Sequence, residues 1–345
     1  MTLPAKGTLL LKEELTSLKK GARIINNGGL VAFPTETVYG LGAAATNSAA
    51  VAGIYKAKGR PADNPLIVHL SDPGQLKDVA RGIPDLAYQL TGQFWPGPLS
   101  LVLPRAENIP ALVSAGLPSV AVRMPDHETA LEFIRLSGVP IAAPSANRSG
   151  RPSPTTYRHV LEDLTGRIDA VIKSSPCQVG VESTVLDLTG EKPVILRPGG
   201  VSREELEAVL GSPVEVAAAK SQEGGQPLSP GMKYRHYSPR ARLILITGPA
   251  TYRISLIKAL AAHYRSLGLQ VGYLNTSLHL KGSAKYGAVP ERMAASLYES
   301  LRRMDQEGVD IILAEEIDIA GIGLAVMNRL KKAASRILRV HPGKI

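Results

Sequence analysis

Three polar segments of this chain, each next to an apolar stretch, contain the residue types that bind anions. The first, Pro34–Gly42, follows the apolar run Leu30–Phe33 and contains two threonines and two glycines. Glycines let backbone amides approach an anion, and threonine hydroxyls add short donors and acceptors. The segment matches neither the GxGxxG nor the Walker A pattern, so its residues alone are as compatible with an ordinary turn as with an anion site.

The second segment, Lys56–Pro61, places three cations within five positions. Arginine offers a rigid fork for phosphate oxygens and lysine a compact charge, and the glycine between them indicates a turn that directs Lys58 and Arg60 at one polyphosphate. The alternative is structural, since cations at the end of a helix complement its dipole. His69, at the end of the next apolar run, is more typical of a satisfied buried histidine than of a ligand.

The third segment, Pro144–Ser153, again follows an apolar stretch. Ser145 and Asn147 alternate, so their side chains share a face if strand pairing continues, and short polar groups there suit ribose, base or phosphate oxygens. A plain polar loop is an equal alternative. Together with Arg123 and Arg197, which also lie near the ends of apolar runs, these segments indicate a substrate with phosphate and carboxylate groups.

Composition narrows the class of protein. Hydrophobic residues make up 44% of the 345 positions and charged residues 20%, which excludes wholesale disorder. The single cysteine, Cys177, excludes a disulfide framework and a cysteine-ligated structural zinc site. The sequence shows no catalytic cysteine, serine elbow, HExxH motif or clustered metal ligands. The residues by themselves therefore indicate either a nucleotide-handling α/β enzyme or an RNA-binding protein.

The net charge of +10 is concentrated in the C-terminal third. Residues 1–212 contain 21 basic and 20 acidic side chains, whereas residues 213–345 contain 19 and 10. Such a surface either attracts nucleic acid by releasing phosphate counterions or is a solvated basic face. Because no long apolar run and no secretory signal are evident, we expect a cytoplasmic protein without a membrane partner.

Apolar periodicity predicts strands that alternate with helices, the pattern of βαβ units and of a mostly parallel sheet. The strands predicted first are Leu30–Phe33, Leu66–Leu70, Leu99–Leu103, Val120–Met124, Val139–Ala143, Val171–Lys173, Thr184–Leu188 and Val194–Leu196. The helices predicted with them are Leu11–Asn27, one from Asn47 to about Lys56, one opened by Asp72 and Pro73, His127–Ser137, one from Thr156 to Leu164, and Ser202–Leu210.

Residues 213–241 interrupt this pattern with a polar stretch rich in proline and glycine, too long for a plain connection, which predicts a linker, an active-site lid, or both. The alternation then resumes. Strands are predicted at Leu243–Ile246, Val271–Leu274, Ile311–Ala314 and Ile337–Val340, and helices at Tyr252–Ser266, Arg292–Gln306 and Leu324–Ala334. The expected organisation is an α/β domain over residues 1–212, the linker over 213–241, and a smaller βα domain over 242–345.

These segments resemble the threonylcarbamoyl-AMP synthase family, also called YrdC-like, in its longer two-domain form. The similarity is carried by Pro34–Gly42, Lys56–Pro61, Asn64–Leu66 with His69, Ser119–Arg123, Pro144–Asn147, Gly180–Thr184 and Leu196–Gly199. Ser229–Pro239 resembles the linker of the long form, and Gly321–Ser335 resembles its C-terminal domain. The resemblance implies a twisted α/β domain with a concave cleft and a smaller Rossmann-like domain.

The resemblance also implies an ATP-dependent nucleotidyltransferase. The amine of threonine captures bicarbonate as a carbamate, which attacks the α-phosphate of ATP to give threonylcarbamoyl-adenylate and pyrophosphate. Mg²⁺ is expected to enter with ATP, bound to phosphate oxygens rather than in a protein cage. A tRNA-modifying transferase would then move the group onto the adenosine beside the anticodon.

The same resemblance assigns roles to individual residues. Those expected to bind threonine are Thr37, His69, Arg123, Ala143 through its backbone, and Ser183. Those expected to bind ATP are Lys58, Arg60, Asn64, Ser119, Ser145, Asn147, Ser153, Arg197 and Tyr237. Because the carbamate is itself the nucleophile, catalysis would rest on alignment and charge neutralisation, with Lys58 and Arg60 as the catalytic cations. Tyr237 lies in the linker, which would close over the cleft as a lid.

Two alternatives stay open at this point. One is a module that binds tRNA or double-stranded RNA through its basic C-terminal third without ligation; an aromatic content of 4% and the absence of a ribonucleoprotein-type motif count against it. The other is a carbamoyl-adenylate-forming relative that uses carbamoyl phosphate. The linker and the tail domain count against it by resemblance only.

Overall fold

The computed structural model describes residues 7–217, 236–275, 283–285 and 289–341. The chain divides into two compact units, the first comprising Met1–Ser149 with Ser153–Tyr234 and the second Gly150–Pro152 with Arg235–Ile345. Residues 218–235, most of the predicted linker, lie outside the described residues. Within the described ranges, no helix is long and apolar enough to cross a membrane.

An eleven-stranded sheet lies at the centre of the first unit, counted over its described residues, in the order β1-β8-β2-β3-β7-β4-β6-β5-β9-β10-β11. The strands are β1 (Leu9–Leu11), β2 (Val31–Phe33), β3 (Gly40–Ala44), β4 (Ile67–His69), β5 (Leu99–Pro104), β6 (Ser119–Arg123), β7 (Ile141–Ala143), β8 (Ala170–Ile172), β9 (Thr184–Asp187), β10 (Val194–Arg197) and β11 (Glu215–Val216). The helices are α1 (Leu15–Asn26), α2 (Ser48–Lys58), α3 (Leu76–Val79), α4 (Asp85–Phe94), α5 (Glu128–Ser137), α6 (Tyr157–Leu164) and α7 (Arg203–Leu210), with a 3₁₀ turn at Pro73–Gln75.

This sheet is mixed, so the expectation of a mostly parallel sheet is wrong for the first unit. β3 pairs antiparallel with both β2 and β7, and three further pairs, β4–β7, β5–β6 and β9–β10, are antiparallel as well. The main cause is β3, whose glycines favoured a turn. A Cβ added at Gly42 would lie 2.7 Å from Ile141 Cγ2 and 3.0 Å from Phe33 Cε1. Glycine therefore serves close packing here, and β3 fits between β2 and β7.

Local capping signals fix the helix that carries the cationic segment. Asn47 Oδ1 accepts hydrogen bonds from the amides of Ala49 and Ala50 at 3.1 Å, which confirms the predicted start of α2. The helix continues to Lys58, where Gly59 ends it with a left-handed φ of 64°. By contrast, α4 follows Pro84 without a side-chain cap, and the sequence did not predict it.

The two faces of the first sheet pack against different helices. One face forms a large apolar core with α2, α3, α4, α6 and α7, to which Val68 and Val122 contribute. On the other face, α1 and α5 cover the half from β1 to β7, where Phe33 meets Phe133 at 5.6 Å between ring centroids. The remaining half carries a smaller apolar cluster, here called the floor cluster, of Ile67, Val102, Ala121, Val185 and Leu196.

The second unit contains a five-stranded sheet among its described residues, in the order β14-β13-β15-β12-β16, with every pair parallel. Its strands are β12 (Arg242–Thr247), β13 (Val271–Asn275), β14 (Ser283–Lys285), β15 (Ile311–Glu315) and β16 (Arg336–Arg339), and its helices are α8 (Ala250–Ser266), α9 (Pro290–Gln306) and α10 (Gly323–Ala333). The predicted elements of this unit are confirmed to within two residues at each end, and β14 is additional.

Candidate active site

β4 and β6 place three candidate side chains on one face of the first sheet. His69 lies opposite Arg123 in their parallel ladder, and Ile67 lies opposite Ala121. Paired residues project to the same face, and side chains along a strand repeat with a period of two. Since Ile67 and Ala121 belong to the floor cluster, His69, Arg123 and Ser119 project to the face that carries it. Ser119 and Arg123 are the two end residues of β6.

Neighbouring strands bring further candidates to this face. Ala143 pairs with β4 in the same register, and Ser145 continues β7 through an antiparallel bridge to β3. Arg197 lies opposite Val185, a member of the floor cluster. Ser183 precedes that residue by two positions and therefore shares its face if the strand geometry extends to it. Candidates far apart in sequence thus meet on one surface, here called the site face.

Arg123 is held in one orientation at the centre of the site face. It is buried, its Nε donates to Gly97 O at 3.2 Å, and its Nη1 donates to Thr37 Oγ1 at 2.9 Å. Its Nη2 lies 2.5 Å from Glu36 Oε1 in an ion pair. A guanidinium fixed in this way is preorganised to bind a carboxylate through two parallel hydrogen bonds.

A compact turn after β2 positions Thr37 beside Arg123. Thr35 Oγ1 accepts the amides of Thr37 and Val38 at 3.2 Å and donates to Val38 O at 2.6 Å. The hydroxyls of the two threonines are 2.9 Å apart. Side-chain hydrogen bonds to nearby backbone groups stabilise such turns, so the threonines of this segment form the turn and its glycines belong to β3.

His69 is neutral in the folded chain. Burial and the neighbouring Arg123 lower its pKa from 6.5 to about 3. Its Nδ1 lies 3.1 Å from Ile67 O, and because a carbonyl only accepts, that nitrogen carries the proton. The ring meets Phe33 edge-on at 5.7 Å between centroids. The imidazole therefore supplies shape and polarity to the site without charge.

Arg197 and Ser183 form a second arginine-anchored group. Arg197 Nη2 donates to Ser183 O at 2.9 Å and to its Oγ at 3.2 Å. Ser100 Oγ lies 2.8 Å from Ser183 Oγ. The turn after β10 packs so closely on this segment that a Cβ added at Gly199 would lie 2.2 Å from Ser183 C and Thr184 N. Only glycine fits this approach, which fixes Ser183 relative to Arg197.

Lys58 reaches the third polar segment. Its buried ammonium donates to the carbonyl oxygens of Ser145 and Asn147, each at 2.5 Å. Ser145 Oγ donates to Asn147 Oδ1 at 2.6 Å, and the Ser149 amide donates to Lys58 O at 3.0 Å. The helix end and the segment after β7 are therefore joined into one polar unit around a single positive charge.

Arg60 contacts a different loop, next to a buried amide without partners. Its Nε donates to Asn64 O at 3.2 Å and its Nη2 to Pro65 O at 2.9 Å. Asn64 is 1% exposed, yet neither its Nδ2 nor its Oδ1 has a hydrogen-bond partner among the residues that the structure describes. Buried amides are almost always satisfied, so this one indicates a ligand. Lys58 and Arg60 thus contact separate loops rather than turning together toward one point.

Two candidates lie away from the strands. Ser153 is buried, and its Oγ donates to Glu182 Oε1 at 2.6 Å. Tyr237 belongs to the second unit, where its ring stacks on Tyr298 at 5.5 Å and the Arg329 guanidinium lies 5.3 Å from its centroid. Its φ of 64° is unusual for a tyrosine, and such conformations cluster at functional sites.

Comparisons with known proteins match the whole length of this arrangement. A family model described as "Telomere recombination" matches residues 23–199, and one described as "Threonylcarbamoyl-AMP synthase, C-terminal domain" matches residues 201–335. The threonylcarbamoyl-AMP synthase of Pyrococcus abyssi is 49% identical over 325 residues, covering 94% of this chain and 96% of that protein. The Bacillus subtilis synthase is 48% identical over 331 residues, covering 93% and 94%.

A solved structure agrees with these relatives. The crystal structure of P. abyssi Sua5 complexed with L-threonine has a TM-score of 0.92 at 48% identity and covers 97% of this chain and 99% of that one. This chain belongs to the threonylcarbamoyl-AMP synthase family. The fold that the resemblance implied, a mixed α/β unit followed by a βα unit, is confirmed with it.

Three polar residues of this family member were missed by the sequence reasoning. Glu36 and Glu182 stand inside quoted motifs, but only the structure shows that they are buried and touch Arg123 and Ser153. Ser100 is a polar residue inside an apolar strand, a signal that the sequence did contain.

Proposed function

We propose that this chain condenses L-threonine, bicarbonate and ATP into threonylcarbamoyl-AMP and pyrophosphate. The observation that carries the proposal is the convergence of an arginine-centred pocket and a lysine-centred polar loop on one sheet face, in a chain that matches the family over nearly its full length. The first suits an amino acid carboxylate and the second a triphosphate.

The amino acid end of the site contains Arg123 with Thr37 and His69. Arg123 binds the threonine carboxylate, because its guanidinium is oriented by Gly97 and Thr37. His69 contributes a neutral polar wall. The other residues assigned to threonine are Ala143, through its backbone, and Ser183.

The nucleotide end contains Lys58, Arg60 and Asn64, together with Ser119, Ser145, Asn147, Ser153, Arg197 and Tyr237. Lys58 and Arg60 stabilise negative charge on the phosphates as the carbamate oxygen attacks the α-phosphorus and pyrophosphate leaves. No protein nucleophile is required, so the contribution of the chain is alignment and charge neutralisation. Mg²⁺ enters as part of the MgATP substrate, held by phosphate oxygens.

The product is a mixed anhydride that water hydrolyses, so it must be passed on quickly. A tRNA-modifying transferase is the expected consumer, which places the reaction in the cytoplasm. The segment 213–241 is proposed to exclude water as a lid, with Tyr237 as its contact to ATP. Direct contact of tRNA with the basic residues 213–345 is a further possibility for the same partner chain.

The experiment is pyrophosphate release measured with each substrate omitted in turn. We expect release to require L-threonine, bicarbonate and ATP together. Lys58→Ala should lower turnover at least tenfold, equal to about 1.4 kcal/mol in the barrier, whereas Lys77→Ala, at an exposed position, should not change it. Release that persists without threonine, or an unchanged rate in Lys58→Ala, would refute the proposal.

A further inference from the structure

Glu36 is a buried carboxylate in the threonine pocket that the proposed roles leave unused. It is 6% exposed and follows β2 in the turn that carries Thr37. Its Oε1 lies 2.5 Å from Arg123 Nη2, the group expected to bind the substrate carboxylate. A second carboxylate at that position would compete with the substrate if its only task were to neutralise the arginine.

The carboxylate of Glu36 lacks hydrogen-bond donors. Neither Oε1 nor Oε2 has a hydrogen-bond partner among the described residues, since the contact with Arg123 is an ion pair without hydrogen-bond geometry. A buried ionised group without donors is costly. The burial therefore indicates that a donor arrives with the substrate.

The pair of Glu36 and Arg123 has the charge pattern that complements a zwitterion. An α-amino acid carries its ammonium and its carboxylate on adjacent atoms, so a guanidinium beside a carboxylate can bind both at once. The other titratable groups in electrostatic range of Glu36 are His127 and Cys177. Burial lowers the pKa of His127 and raises that of Cys177 to about 12. Both shifts favour the neutral forms, so neither group replaces Arg123 as the charge facing Glu36.

We propose that Glu36 binds the α-ammonium of the substrate amino acid and accepts one of its protons. Resting on the proposed function, the step is balanced as follows. The ammonium gives a proton to the Glu36 carboxylate and becomes a neutral amine. The amine nitrogen attacks the carbon of bicarbonate, a C–N bond forms, and water leaves with the oxygen of the broken C–O bond, the second N–H proton ending in that water. The products are the carbamate anion and protonated Glu36, which releases its proton before the next turnover.

Ligand binding separates this role from simple support of Arg123. The probes are L-threonine and 2,3-dihydroxybutanoate, in which a hydroxyl replaces the amine. Glu36→Gln should weaken L-threonine binding at least tenfold, because the ammonium loses its counter-charge. It should leave dihydroxybutanoate binding unchanged or tighter, because a competing carboxylate beside Arg123 is removed. Equal loss for both ligands would overturn the proposal, because it would show that Glu36 only shapes the pocket.

The pH dependence of turnover tests the proton transfer. Without its acceptor, Glu36→Gln depends on the neutral fraction of threonine, so its kcat/KM should rise with pH by up to tenfold per unit. The ratio of wild-type to variant kcat/KM should therefore fall between pH 7 and 9. A constant ratio would contradict the assignment. Glu36→Asp, which keeps the acid, should recover part of the activity, and the exposed Glu204→Gln should match wild type.

The two proposals fail in different ways. If wild-type chain releases no pyrophosphate with threonine, bicarbonate and ATP, the proposed function fails. If wild type is active and Glu36→Gln equals it in both threonine binding and pH profile, only the role of Glu36 fails. Thermal unfolding of each variant identifies a loss of folding, and in that case Glu36→Asp decides the outcome through the same two measurements.

Discussion

Asn64 shows at the scale of one residue how a binding site can be paid for in stability. Its side chain is 1% exposed, and both polar atoms lack partners among the described residues. Each buried polar group left unsatisfied costs about 1–3 kcal/mol. The chain therefore keeps an amide there that weakens the folded state until a ligand completes its hydrogen bonds.

This argument predicts opposite effects of Asn64→Leu on stability and on binding. The free energy of unfolding should stay constant or rise by about 1 kcal/mol, since unsatisfied groups are removed. The affinity for ATP should fall at least tenfold. Chemical denaturation and calorimetric titration measure the two quantities. A variant that is less stable but binds ATP normally would make Asn64 a structural residue.

His69 predicts a dependence of stability on pH. Its pKa is about 3 in the folded chain against 6.5 for a free histidine, so the unfolded chain binds the extra proton between these values. The contribution is fully present above about pH 6.5 and is lost as pH falls toward 3, by about 1 kcal/mol per pH unit. His69→Leu should flatten the decline of unfolding free energy between pH 7 and 5. Parallel curves for variant and wild type would rule out a buried neutral imidazole.

The residues of the site differ in how far the sequence could predict them. Lys58, Arg60 and Arg123 are cations near the ends of predicted elements, and their charge alone indicated an anionic substrate. Glu36 carries no such signal, because its meaning depends on a partner 87 positions later in the chain. Long-range pairing of this kind follows from the sheet register and not from local pattern.

At the scale of elements, the same glycine type had two different consequences. Gly59 ends α2 in a left-handed conformation, as the sequence predicted for a turn. Gly40 and Gly42 instead lie in β3, where they make room for Phe33 and Ile141. Residue type reveals that the backbone is unusual, but only packing decides whether it turns or stays extended. The parallel second sheet lacked this ambiguity, so its strands and helices were predicted closely.

Gly199 tests the packing of one element against another. A Cβ at this position would lie 2.2 Å from the backbone of Ser183 and Thr184. Gly199→Ala should therefore lower the melting temperature and weaken threonine binding together, because the segment bearing Ser183 must shift. Gly190→Ala is the matched control, since its nearest neighbour, Lys192 O, would be at 3.8 Å. If both variants melt and bind as wild type does, the turn after β10 does not position Ser183.

At the scale of the whole molecule, the chain combines two units with separate sheets and separate charge. The strand-borne candidates all lie in the first unit, whereas residues 213–345 contain most of the excess of basic over acidic side chains. This division assigns substrate alignment to the eleven-stranded sheet. Its site face, opposite the large apolar core, is the surface on which both substrates should be found.

The most direct test is a crystal structure of this chain with L-threonine and a non-hydrolysable ATP analogue. The threonine carboxylate should lie within hydrogen-bond distance of Arg123, its ammonium beside Glu36, and the triphosphate next to Lys58 and Arg60. A nucleotide bound away from Lys58, or threonine bound without contact to Arg123, would contradict the account.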